Sequence, residues 1–179
     1  IELRWQDWWD EHGTFHTPNP AGPLGDPEVG AERGRKLFVL DMFPYPSGAG
    51  LHVGHPLGYI GTDVYSRFKR MTGHNVLYTM GFDAFGLPAE NAAIKEGIHP
   101  MKRTFENIEH MREQMKTMGT MFDWEREMVS AAPEYYKWTE WFFIQLYKMG
   151  LAYRKMSPVD FCPNCNTTLA REQVWGDDR

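Results

Sequence analysis

The stretch DMFPYPSGAGLHVGH, Asp41 to His55, decides the fold. It follows the apolar run Leu37-Phe38-Val39-Leu40 and runs into the series Val53, Leu57, Ile60, Val64, Phe68 and Met71, which recur at steps of three and four. A strand therefore passes the chain to a helix at this point. Such a junction suits an anion. Glycines at 48, 50 and 54 let backbone N–H groups approach a ligand closely, and the first turn of the helix offers unpaired donors with its dipole positive toward solvent. Pro44 and Pro46 stiffen the turn. His52 and His55, three residues apart, project from one face as the helix begins and can offer N–H donors to charge that builds up on a phosphate.

Working outward, Lys36 to Asp41 reads as a strand whose nearly continuous apolar middle predicts cover on both faces, as in a parallel sheet. The helix from about Val53 to Met71 should turn its apolar stripe to the core and leave Asp63, Arg67, Lys69 and Arg70 as a solvated face. Thr72-Gly73 stops it, and Asn75 to Met80 supplies a second strand, which completes a βαβ unit. Ligands in such sheets bind beyond the carboxyl ends of the strands, where both 41–55 and GFDAFGLPAEN, Gly81 to Asn91, are expected. Asp83 is the carboxylate of that second stretch; a turn or helix-cap role is its plain alternative. Further helices are predicted near Pro88–Glu96, over Met101–Met118 with Met101, Phe105, Ile108, Met111, Met115 and Met118 toward the core, and over Pro133–Met149 with Trp138, Phe142, Leu146 and Met149 inward and a stop at Gly150.

At these residues the chain resembles a family. His52-Val53-Gly54-His55 is similar to the HIGH signature of class I aminoacyl-tRNA synthetases, and MFPYPSG together with Gly81 to Asn91 resembles the leucyl-tRNA synthetases among them. The resemblance runs from about Leu3 to Arg171, with Ala49-Gly50 making the loop a residue longer than its commonest form. It implies an α/β catalytic core with a Rossmann-like parallel sheet and flanking helices, which activates leucine with Mg2+-bound ATP to leucyl-adenylate and passes leucine to tRNA(Leu). By the same resemblance His52 and His55 are catalytic and, with Gly50 and Gly54, ATP-binding, while Met42, Phe43, Tyr45 and Asp83 bind leucine. Residue type alone leaves core packing open for Met42, Phe43 and Tyr45. The rival readings are another nucleotidyltransferase with a HIGH-type motif, a related synthetase for isoleucine, valine or methionine, and a zinc-ribbon binding module without enzymatic activity.

Composition sets the outer bounds. The 179 residues are 42% hydrophobic and 15% aromatic, enough for a sizeable core, and the net charge of −5 argues against a free-standing nucleic-acid binder, which needs a basic face. No apolar run approaches the roughly 20 residues that span a bilayer. A cytoplasmic, monomeric protein without membrane contact is expected. The chain opens inside an amphipathic helix (Leu3, Trp5, Trp8, Trp9) and reads as an N-terminal excerpt of a longer enzyme. Three parts are expected: a helix and Pro/Gly-rich loop over 1–35, the first half of the catalytic domain over 36–157, and the start of an inserted module over 158–179.

Both cysteines fall in that last part, as Cys162-Pro163-Asn164-Cys165. Their spacing suits half of a tetrahedral zinc site in a zinc-ribbon-like module, with a redox pair or two reduced thiols as alternatives. The resemblance implies a second ligand pair beyond Arg179. Lys155-Met156-Ser157 is a chance likeness to the family's lysine signature, which the resemblance puts far downstream.

Overall fold

A computed structural model describes residues 1–19, 25, 35–48 and 50–175. Most of the Pro/Gly-rich loop, and Ala49, lie outside those residues. The chain forms two compact units, Ile1–Lys137 and Trp138–Arg179.

The first unit opens with α1 (Glu2–Glu11), then β1 (Lys36–Val39), α2 (Gly54–Met71) and β2 (Asn75–Tyr78). β1 and β2 pair in parallel, Lys36 opposite Asn75 through Val39 opposite Tyr78, so the strand–helix–strand reading of 36–78 holds. Gly73, at φ +87, ends α2 in a conformation that an L side chain resists. The second strand stops two residues early, and the chain re-enters a short strand, β3 (Gly81–Phe82), paired in parallel with β4 (Met128–Val129). Around this pair Asp123 N donates to Tyr78 O, Met128 N to Met80 O and Ser130 N to Phe82 O, so 123–130 runs beside 78–82. Between these strands come α3 (Leu87–Glu96) and α4 (Pro100–Thr117). α4 buries Ile108, Met111 and Met115 among Val39, Val76, Tyr78, Met80, Phe82, Met121 and Phe122, while Met101 and Phe105 at its start stay exposed. The Met-rich stripe is therefore core over its last two turns.

α2 corrects the sequence reading outright. Leu57, Val64 and Met71 are 83%, 61% and 86% exposed, and Val53, Ile60 and Phe68 are exposed as well. Tyr59 and Ser66 are its buried residues, so the face toward the core is the polar one. That face is tolerated because its larger polar groups meet partners, although the small Ser66 hydroxyl is buried without one. Asp63 accepts from Met121 N at 2.7 Å and from Arg67 Nε at 2.6 Å; Arg67 donates to Gly119 O; Tyr59 donates to Met42 O; the Thr62 hydroxyl donates to Asp41 at 2.7 Å and meets the Tyr78 hydroxyl. β1 agrees: Phe38 and Leu40 are exposed while Val39 is buried, so one face of this strand is covered and not both.

α5 (Pro133–Lys148) is the second correction. It has no buried residue, and Trp138, Phe142 and Met149, expected inward, are all exposed. Helical spacing marks an apolar face, but it does not say whether a partner surface lies against it. Gly150, at φ +74, follows as the expected stop. In the second unit β5 (Phe161–Cys162) and β6 (Thr167–Thr168) form an antiparallel hairpin with Asn166 at φ +50 in its turn. Among the described residues no helix is long and apolar enough to cross a membrane.

Candidate active site

β1 delivers residues 41–55 to the carboxyl end of the parallel pair, and β3 delivers 81–91 beside them. Three contacts join the two stretches. Asp83 N donates to Pro44 O at 3.1 Å. A Cβ on Gly81 would meet the Phe43 ring at 2.7 Å, and one on Gly86 would run into the Tyr45 hydroxyl. Both glycines are thus sites of close approach, a use that needs no ligand. The two motifs form one wall.

His52 and His55 lie together, ring centroids 3.9 Å apart. Their hydrogen bonds decide their chemistry. His52 N donates to His55 Nδ1 and Gly54 N donates to His52 Nδ1, each at 3.1 Å. A neutral imidazole whose Nδ1 accepts carries its proton on Nε2, so each ring keeps an Nε2–H donor for something else. Burial, then the neighbouring His52, push the His55 pKa below the ordinary histidine value. His55 is consequently a neutral donor near pH 7.

One expectation fails at this point. The start of α2 was to offer free backbone donors, but Gly54 N is taken by the His52 ring, His55 N donates to His52 O at 2.9 Å, and Pro56 has no N–H. What the two histidines leave open at this junction is the Nε2–H of each ring. A Cβ on Gly54 would meet the His52 ring at 2.9 Å, so that glycine makes room for the ring itself. Gly50, at φ +149, packs against Gln114 and His110.

At the start of the 41–55 stretch opens a cleft of about 640 Å³ lined by Leu40, Asp41, Met42, Phe43, Asp83, Ser130 and Tyr135, with neither histidine in its lining. Ligand sites commonly measure about 300–1,000 Å³. Met42, 83% exposed, is not core packing; Phe43 packs partly against the core; Asp83 is exposed toward the cleft side. Tyr45 borders Asp83 and Glu90: burial first, then those two negative charges, push its phenol pKa up, so it stays a neutral hydroxyl. Ser130 and Tyr135 escaped the sequence reading. The Ser130 hydroxyl accepts from Ala84 N at 2.7 Å, which steadies the residue after Asp83. Their separation of about fifty residues from Asp83 left no local signal. Asp41 was legible only as a strand end; it caps the polar face of α2 by accepting from Thr62 and from Met42 N.

In the second unit Cys162 Sγ accepts from Cys165 N at 3.3 Å. That backbone donor, followed by the Cys165 thiol, lowers the Cys162 pKa, and the shared hydrogen raises that of Cys165. Among the described residues the two cysteines have no further ligand pair, and His16, Asp123 and Glu125 form a separate cluster in the first unit.

This geometry has known counterparts. Residues 4–178 match the family described as tRNA synthetases class I (I, L, M and V), and the chain belongs to that family. Within it the similarity is to the leucine enzymes. The chain is 55% identical over 174 residues to the leucine–tRNA ligases of Clostridium beijerinckii and Clostridium perfringens, which covers 97% of this chain and 20% of each of those proteins. It is 44% identical to that of Streptomyces coelicolor, covering 100% of this chain and 24% of that protein. Among solved structures, the ternary complex of Agrobacterium radiobacter K84 agnB2 LeuRS with tRNA and LeuAMS superposes with a TM-score of 0.80 at 39% identity, covering 97% of this chain and 21% of that one. Mycobacterium tuberculosis methionyl-tRNA synthetase in complex with methionyl-adenylate follows at a TM-score of 0.59 and 25% identity, over 65% of this chain and 22% of that one. The fold is that of the class I synthetase core. The chain spans about a fifth of the length of the curated relatives it matches.

Proposed function

We propose that this chain carries the histidine-bearing half of a leucine–tRNA ligase active site, on a Rossmann-like sheet. The observation that supports this reading is the docking of 41–55 onto 81–91, which joins the loop that carries the paired imidazoles to the stretch whose Asp83 lines the cleft. In the reaction a leucine carboxylate oxygen attacks the α-phosphorus of ATP, the bond to the β-phosphate oxygen breaks, and leucyl-adenylate and pyrophosphate result. Asp83 holds the leucine ammonium by a charge-assisted bond, which leaves the substrate carboxylate free to react. Met42, Phe43 and Tyr45 wall the side chain. His52 and His55 donate from Nε2 to phosphate oxygens as charge shifts toward the leaving group, with no proton transfer required of either ring. Gly50 and Gly54 serve ATP binding through the histidines, Gly54 by making room for the His52 ring and Gly50 by letting the loop lie on Gln114 and His110. ATP enters as its Mg2+ complex, the ion supplying charge neutralisation on the phosphates. Transfer of leucine to tRNA(Leu), in a monomeric cytoplasmic enzyme, completes the reading and draws on parts of such an enzyme beyond these residues.

His55→Ala in the complete polypeptide is expected to lower leucine-dependent exchange of pyrophosphate into ATP about 10²–10³-fold, the usual cost of removing one such donor. Leucine binding should change little. Unchanged exchange would refute the role of His55, and exchange driven by isoleucine, valine, methionine or a non-amino-acid acceptor in place of leucine would favour the rival enzymes.

Residues 158–179 fit the start of an inserted zinc-ribbon-like module. Cys162 and Cys165 would hold the ion: the hairpin turn aims a backbone N–H at Cys162 Sγ, which favours the thiolate that a metal needs. The ion would supply cross-linking of the hairpin. Cobalt substitution in a polypeptide extended past Arg179 should give thiolate-to-metal absorption; its absence disposes of the zinc site.

A further inference from the structure

Among the described residues of the glycine-rich turn, Ser47 N donates to Tyr45 O, and Pro46, Ser47 and Leu51 bond to one face of α4. Arg103 Nη1 donates to Ser47 O at 2.9 Å and Asn107 Nδ2 donates to Pro46 O at 2.9 Å. Leu51 N, immediately before His52, donates to Gln114 Oε1 at 2.8 Å. A Cβ on Gly50 would meet the Gln114 amide at 2.8 Å and His110 at 3.2 Å, so the loop lies directly on this helix. Residues 103, 107, 110 and 114 are spaced at four, three and four, which places them along one stripe. The neighbouring stripe of α4 holds Thr104, Ile108, Met111 and Met115 in the core, so the helix is a fixed rail. Arg103 is itself oriented by a bidentate pair with Glu96 of α3, at 2.7 and 2.8 Å.

We propose that Gln114, Asn107 and Arg103 are positioning residues for the adenylation step: by clamping Pro46, Ser47 and Leu51 onto α4 they set where His52 and His55 meet the phosphates. The proposal rests on the reading of those histidines given above. None of the three reaches the leucine cleft, so their effect falls on kcat. A loop carrying Gly48 and Gly50 has many conformations to lose, and a free loop would lose them on binding ATP. The clamp removes that cost beforehand. Leu51 is the hinge point, since any slack in its amide is passed to the next residue, His52.

The test uses the complete polypeptide. Gln114→Leu removes the acceptor, whereas Gln114→Glu keeps an oxygen for Leu51 N. Expected for Gln114→Leu is a fall of about 10–100-fold in kcat for leucine-dependent pyrophosphate exchange, the scale set by a misplacement near 1 Å. The KM for leucine should stay put, and Gln114→Glu should recover most of the rate. Hydrogen exchange at the Leu51 amide should accelerate in Gln114→Leu alone. If Gln114→Leu folds poorly, Asn107→Asp, which removes the donor to Pro46 O, should show the same kcat-only loss. Wild-type kcat in both variants, or a loss in Gln114→Leu that Gln114→Glu fails to restore, overturns the clamp. His55→Ala run in parallel separates the levels: an unaffected His55→Ala removes the underlying site reading, whereas a crippled His55→Ala beside an active Gln114→Leu removes the clamp only.

Discussion

Replacing Gly86 by alanine tests whether the two motifs interlock as described. Gly86 sits at φ +134, a region that costs an L residue about 1–3 kcal/mol. The Tyr45 hydroxyl occupies the space its Cβ would need, and overpacking of this kind adds about 1–3 kcal/mol. Gly86→Ala should therefore destabilise the chain by roughly 2–6 kcal/mol, read as a lowered urea midpoint at unchanged slope. Tyr45→Phe alone removes one hydroxyl, at about 1 kcal/mol. In the double variant the backbone cost remains but the overlap is largely relieved, the ring Cζ staying 3.1 Å from the new Cβ, so the cycle should show a coupling of about 1–3 kcal/mol in favour of the pair. Additivity to within about 0.5 kcal/mol would refute the docking of Tyr45 onto Gly86, and with it the common wall of 41–55 and 81–91.

The two faces of α2 offer a second test. Asp63→Ala strips Met121 N and Arg67 of their acceptor and should cost about 2–4 kcal/mol in urea unfolding, whereas Leu57→Ala on the exposed stripe should stay within about 0.5 kcal/mol. The reverse ranking would restore the apolar stripe to the core. His55 supplies a pH dependence. Its folded pKa is depressed by burial and by His52, so the unfolded chain binds the proton more readily; its contribution to stability is present above the unfolded histidine value near 6.5 and is lost as pH falls through the lower folded value. His55→Gln should flatten the stability profile across that interval, as measured by urea midpoints at a series of pH values, and an unaltered profile would contradict the environment described for this ring.

Local chemistry carried much of this protein. The strand-to-helix junction at 41–55, the glycine stops at Gly73 and Gly150, the helix of 100–117 and the pairing of β1 with β2 follow from periodicity, turn residues and chain connectivity, all of which act over a few residues. The adjacency of His52 and His55 is of the same kind, since three residues on a helix start leave little choice. What periodicity could not decide was which stripe faces inward. The apolar stripe of α2 lost the core to the face of Tyr59, Asp63 and Arg67, because backbone groups at 119, 121 and 42 needed partners, and a polar side chain satisfied by such groups can be buried at little cost. The same long-range bonding brought Ser130 to Ala84, and Gln114 to Leu51, from positions tens of residues away. Residue type and spacing thus determined where the chemistry could be carried, whereas the pairing of distant backbone donors and acceptors with side chains, which only the folded chain can bring about, decided which side chains hold it in place.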